Sequence, residues 1–222
     1  DQRAYEDFCA NQEAVEKFTL DKPALICRWR MSNKKVPMLN RHIRALSERL
    51  VQGEPLTHNM LSWAKQHVEW SLAEGDYAAH DGVLMLVIDI NGNAAMTVGE
   101  YEPLADTSAK ALRARSAEAR SEADETGVAP ELLAAVDNGE LAFVAPADEC
   151  LCGTATLIEQ LAQTKGIPVT RVDIPAQLKG ALFLVSDEHG VVPATETDAA
   201  ETDAATVAFF ADGYEKLRAR RS

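Results

Sequence analysis

The run Val83-Leu84-Met85-Leu86-Val87-Ile88-Asp89-Ile90, followed at once by Asn91-Gly92, constrains the fold more than any other stretch of the chain. It carries one polar side chain and does not alternate, so the strand it predicts is buried on both faces. Asn-Gly then separates it from a second apolar run, residues 94–98. That dipeptide closes tight β-hairpins, because both central positions of such a turn need positive φ.

Helix and strand patterns alternate around this hairpin. Tyr5, Phe8, Val15 and Phe18, set among acidic residues, predict a short helix in the first 20 residues. Leu25 to Met31 reads as a strand between Pro23 and a Ser32-Asn33-Lys34-Lys35 turn. Leu39, Ile43, Leu46 and Leu50 recur at helical spacing, with Gly53 just past the end. Thr57 is placed to cap a helix carrying Met60, Leu61, Ala64, Val68 and Leu72, which Gly75 ends. From Thr107 to Asp124, Ala, Arg, Glu and Ser dominate and predict a solvated helix with a thin apolar face. Beyond it come the short apolar stretch Leu132 to Val136, an Asn138-Gly139 turn and a strand from Leu141 to Val144. Leu157, Ile158, Leu161 and Ala162 mark a helix closed by Gly166, and strands follow at Val169 to Ile174 and Ala181 to Val185. A short direct repeat, Thr197 to Glu201 and Thr202 to Thr206, reads as a loop entering a helix cap. Val207, Phe210, Tyr214 and Leu217 give the last helix its apolar face.

This alternation predicts an α+β (mixed α/β) fold. Apolar patterning is weakest around residues 99–125, which sets the expected boundary. The organisation predicted is a small α/β domain over residues 1–100, a helical linker over 101–125 and a C-terminal domain over 126–222.

Composition narrows the partners. A net charge of −13 argues against nucleic acid or an acidic membrane surface. No apolar run is long enough for a membrane span, and no secretory signal pattern opens the chain, so a cytoplasmic protein is expected. The cysteines Cys9, Cys27, Cys150 and Cys152 are expected to be reduced thiols. Cys150 and Cys152 lack a second pair at zinc spacing, and the five histidines show no metal-binding pattern, so no metal is expected. P-loop, G-x-S-x-G and H-E-x-x-H motifs are absent.

Three stretches carry candidate chemistry. Gly153 precedes Thr154-Ala155-Thr156 at a helix start, where free N–H groups and the positive helix end favour an anion; a Thr-capped helix after a glycine turn has the same letters. Ser186-Asp187-Glu188-His189-Gly190-Val191-Val192-Pro193 offers a hydroxyl at Ser186, beside carboxylates that repel an anion; its bland reading is a solvated acidic hairpin turn. Leu39 to Leu46 contains Arg41, His42 and Arg44, otherwise read as an exposed basic helix face.

The order of the Gly153 helix start, Gly166-Ile167-Pro168-Val169, the strand leading to Gly190-Val191-Val192-Pro193 and the terminal helix resembles the C-terminal half of the class IV (fold-type IV) pyridoxal-phosphate-dependent aminotransferases, a family that includes aminodeoxychorismate lyase. Residues 39–46 are similar to that family's N-terminal His-x-x-Arg-Leu helix, with Ala45 where the arginine stands and Arg44 one position early. The resemblance implies a shortened two-domain fold-type IV architecture with a ligand cleft, a homodimer, and pyridoxal 5'-phosphate as cofactor. It implies that Gly153, Thr154, Ala155 and Ser186 hold the phosphate, with Arg44 as a further contact. Lys110 is then the imine lysine and Glu125 the acid at the pyridine nitrogen. The family's Glu-Gly-Ser/Thr-x-x-Asn stretch is absent as such, and Glu125-Thr126-Gly127 and Glu131 are its weak counterparts. Two functions follow from the resemblance: an aminotransferase or aminodeoxychorismate-type lyase acting on a small amino acid or amino-acid-like substrate, or a non-catalytic homologue that kept the fold for ligand binding or structure.

Overall fold

The computed structural model describes residues 21–51, 53–74, 81–127, 129–195 and 198–220. The helix expected in the first 20 residues, and the roles expected of Cys9, Gly75 and Thr197, lie outside this set.

Two antiparallel-rich sheets carry the fold. In the first, β1 (Pro23–Ser32) pairs with β4 (Asp81–Asp89), and β4 with β5 (Ala94–Glu100), all antiparallel. The loop containing Asn91-Gly92 joins β4 to β5. Only Gly92 of the pair takes a positive φ, 82°, because the loop is one residue longer than the two-residue turn the dipeptide predicts, closed by the Asp89 N–H on the Asn93 carbonyl at 2.8 Å. Leu84, Leu86 and Ile88 enter one core, while Met85 and Val87 on the opposite face are buried as well, as the unbroken apolar run requires. Helices α1 (Leu39–Leu46) and α2 (His58–Glu74) supply Leu46, Ala64, Val68 and Leu72 to that core. Thr57 caps α2, its Oγ1 accepting the Met60 N–H at 3.1 Å.

Helix α1 is shorter than its apolar spacing predicts. Its last turn tightens into bonds from the Glu48 and Arg49 N–H groups to the carbonyls three residues back. The chain then enters the short strands β2 (Leu50–Val51) and β3 (Glu54–Pro55), with Gly53 at φ 80° between them. Leu50, expected on the buried helix face, is 55% exposed.

The second sheet has the strand order β10 (Gly190–Pro193), β9 (Ala181–Ser186), β6 (Leu132–Asp137), β7 (Glu140–Val144), β8 (Val169–Val172). Only the β7–β8 pair is parallel, and α4 (Gly153–Thr164) makes the crossover. Leu132, Ala134 and Val136 pack beneath α4 and α5 (Glu201–Arg218), against Ile158 and Phe210. Leu133 and Ala135 face the other way, against Leu112 of α3 (Ala109–Thr126). One layer of helix therefore lies on each side of this sheet. Strand β8 stops before Ile174, which is 52% exposed, because Pro175 has no N–H for a ladder and opens a 3-10 turn.

Helix α3 is the element that positions the site. Ser108 Oγ accepts the Ala111 N–H at its start, and Gly127 at φ 66° ends it. It touches β1 of the first sheet as well as β6 and β9 of the second, so the segment expected as a solvated linker buries Leu112 completely.

Candidate functional site

A cleft opens where these elements meet. Arg28 and Trp29 reach it from β1, His42 from α1, Arg49 from just beyond that helix, and Glu122 from α3. Glu131 before β6, Cys152 before α4, and Ser186-Asp187-Glu188 at the β9–β10 turn complete its wall.

The wall is tied together by charge. Arg28 Nη2 meets Glu122 Oε1 at 2.9 Å, and the Arg49 guanidinium donates to the Cys150 carbonyl. Arg115, on the next turns of α3, donates to Glu131 Oε1 at 2.9 Å and Glu188 Oε2 at 3.3 Å. Glu131, Glu188 and His189 bring potential ligand atoms within 4.8 Å of one another, a cluster that spacing in the sequence did not suggest. Arg115 already places a positive charge across both carboxylates there. Burial opposes ionisation of Glu188, but its hydrogen bond to His189 and the charges of His189, Arg115 and Arg28 outweigh it and hold the carboxyl below its usual range. His189 in turn meets the Tyr101 hydroxyl at 3.1 Å.

His42 is 2% exposed and stacks on Trp29, ring centroids 5.3 Å apart and nearly parallel. Burial pushes its pKa below the ordinary histidine value, against the pull of Asp187, whose Oδ1 lies 3.6 Å from Nδ1. Cys27 and Cys152 are buried thiols; burial pushes Cys27 up to about 12 and Cys152 well above its ordinary value, so neither is a nucleophile at neutral pH.

The start of α4 is the part most legible from sequence, and the structure fills it. Gly153, Thr154 and Ala155 are buried in its first turn. A Cβ on Gly153 would come within 2.6 Å of His42 Nδ1, so α1 packs directly on this turn because residue 153 has no side chain. The Thr154 N–H donates to Asp187 Oδ1 at 2.9 Å, and the Thr154 hydroxyl donates to the same oxygen at 2.7 Å. The carboxylate of Asp187 thus occupies the anion position at the helix end. Its turn is held in place by neighbours: the Arg30 N–H donates to the Asp187 carbonyl, and Ser186 Oγ accepts the N–H groups of Glu188 and His189. The bland reading of this turn as solvated is corrected, since Ser186 is fully buried and His189 nearly so.

Of the residues singled out from sequence, Gly153, Thr154, Ala155 and Ser186 come together at the cleft wall or immediately behind it. Arg44, Lys110 and Glu125 do not. Arg44 lies exposed on α1, where His42, Ala45 and Leu46 turn to the cleft; one residue is about 100° around a helix. Lys110 is exposed in the first turn of α3, whose cleft residues begin only at Ala119, roughly 13 Å further along the axis. Glu125 points to solvent, whereas Glu122 lines the cleft. Among the described residues no lysine lines it. Sequence reasoning missed Arg28, Arg49 and Glu122, whereas Glu131, a weak counterpart of the family's acidic stretch, does line the cleft. For Arg49 a signal existed, since His42, Leu46 and Arg49 fall at the spacing of one helix face.

Comparison with solved structures gives the fold. The chain is similar to a hypothetical aminotransferase from Mycobacterium tuberculosis in its apo form, at 15% identity and TM-score 0.61, covering 93% of this chain and 90% of that one. It is similar to the form described with α-ketoglutarate and PMP bound, at 14% identity and TM-score 0.59, covering 91% of each chain. It is also similar to 4-amino-4-deoxychorismate lyase from Pseudomonas aeruginosa, at 16% identity and TM-score 0.55, covering 85% of this chain and 90% of that one. The chain therefore has the fold-type IV architecture, in a divergent sequence. No protein-family model matches it. No curated protein sequence matches it.

Proposed function

We propose that this chain uses the fold-type IV scaffold to bind a small molecule and does not carry out lysine-imine aminotransferase or lyase chemistry. The observation that carries this reading is the Asp187 carboxylate seated on the Thr154 N–H and hydroxyl. Those two donors are the ones the resemblance assigns to a cofactor phosphate, and a second anion beside Asp187 is repelled. Two further features support the reading. Lys110 is remote from the cleft, and no other described lysine lines it. The carboxylates of Glu122, Glu131, Asp187 and Glu188 outnumber the guanidiniums of Arg28, Arg49 and Arg115, and Arg28 and Arg115 are already paired with Glu122, Glu131 and Glu188, a balance unfavourable to a phosphate dianion and better suited to a neutral or positively charged ligand. The residues present do not fit pyridoxal 5'-phosphate, so no step is derived through it.

The test is a titration with pyridoxal 5'-phosphate followed by borohydride reduction and peptide mapping. The expected result is no saturable band near ~420 nm and only scattered, substoichiometric labelling of surface lysines. Stoichiometric trapping at a single lysine, Lys110 included, would overturn the proposal and restore the enzyme reading.

A further inference from the structure

We infer that Asp187 is a resident counter-ion: its carboxylate keeps closed an anion site that is otherwise complete at the start of α4, and a chain lacking that carboxylate binds phosphate there. The inference rests on the reading that no cofactor phosphate occupies this position.

The donors are already assembled. Thr154 is fully buried, and both its N–H and its hydroxyl converge on Asp187 Oδ1. The 12 residues of α4 direct the positive end of their dipole at the same oxygen. His42 Nδ1 lies 3.6 Å from that oxygen, is buried, and has no hydrogen-bond partner of its own. The three groups surround the volume that a single anionic oxygen needs, and Asp187 supplies that oxygen from the β9–β10 turn. The Asp187 side chain is 21% exposed and lines the cleft, so cutting it back opens the cup toward the cleft mouth, not into sealed core. Arg49 lines the same cleft and adds positive charge once the carboxylate is gone. With the carboxylate present, an incoming phosphate meets a like charge at the one place where donors converge.

The experiment compares the unmodified chain, Asp187→Ser and Asp187→Asn, with inorganic phosphate as the probe. Binding is read by calorimetry and by fluorescence of Trp29, which stacks on His42 at the cleft. Asp187→Ser should bind phosphate at least about tenfold more tightly than the unmodified chain, because the donors are freed and the like charge is removed. Asp187→Asn fills the same space with an amide oxygen that still accepts from Thr154, and should stay close to the unmodified chain. Adding Thr154→Val to Asp187→Ser should abolish the gain. A folded Asp187→Ser variant with no gain overturns the inference. So does tight phosphate binding by the unmodified chain that Thr154→Val removes. If Asp187→Ser is unfolded alone, recovery of its thermal transition on adding phosphate supports the inference, and indifference to phosphate overturns it. The probe has no aldehyde, so the result is independent of whether any lysine forms an imine.

Discussion

The contact between Thr154 and Asp187 joins two elements 33 residues apart, and its energy is measurable by a double-mutant cycle. Thr154→Val replaces the hydroxyl by a methyl of similar volume and deletes one bond, the 2.7 Å contact to Oδ1. Asp187→Ala deletes that bond, the 2.9 Å bond from the Thr154 N–H, and the negative charge at the start of α4. A hydrogen bond to a charged group contributes about 1.5–3 kcal/mol, and a charge at a helix end about 0.3–1 kcal/mol. The Asp187 side chain is one-fifth exposed, so water screens part of this and the lower ends apply. Thr154→Val should therefore cost about 1.5 kcal/mol and Asp187→Ala about 3 kcal/mol. The Val variant has already lost the bond that Asp187→Ala would break, so the double variant should cost about 1.5 kcal/mol less than additivity predicts. Urea denaturation of the four proteins, with matched slopes, measures it. Coupling below about 0.5 kcal/mol, the ordinary scatter of independent sites, would refute a direct charged bond between these side chains.

Two other perturbations follow from the same packing. Gly153→Ala should destabilise the chain by about 1–2 kcal/mol in urea denaturation, because overpacking against the stacked His42 ring exceeds the helix-propensity gain of alanine; an unchanged or higher midpoint would show that α1 gives way. The folded-state pKa of His42 is lowered by burial, so below the ordinary value of 6.5 the unfolded chain holds a proton that the folded chain does not. Stability should fall as pH drops below that value, with a slope approaching about 1.4 kcal/mol per pH unit until the folded ring is protonated. His42→Phe keeps the stack on Trp29 without a titrating group, and denaturation at pH 7, 6 and 5 should show its profile flatter; identical profiles would mean that burial does not shift the His42 ring away from its unfolded titration.

Much of the fold is legible because its signals are local. The β4–β5 hairpin follows from an apolar run and Asn91-Gly92, the start of α2 from Thr57, and the span of α4 from its apolar stripe and Gly166 at φ 71°. The misreadings arise where a neighbour in space decides. Leu50 continues a helical spacing, yet the hairpin around Gly53 draws it out of the helix. Lys110 and Glu125, which the resemblance assigns to the cofactor, lie off the cleft, because periodicity along α3 does not say which of its turns reaches it. Asp187 reads as a solvated turn carboxylate until β9 is laid beside β6 and its turn meets the start of α4.

By itself the sequence determined the mixed α/β class, most element positions, the glycine turn that starts α4 and the acidic character of the chain. Apolar period, turn dipeptides and caps act over a few residues, so they are written in the local order of side chains. The tertiary structure alone decided the strand order, the side of α3 that faces the cleft, and the identity of the anion at Thr154. Each depends on which distant segments share a sheet or a helix contact, and the long-range packing of the three apolar clusters sets that.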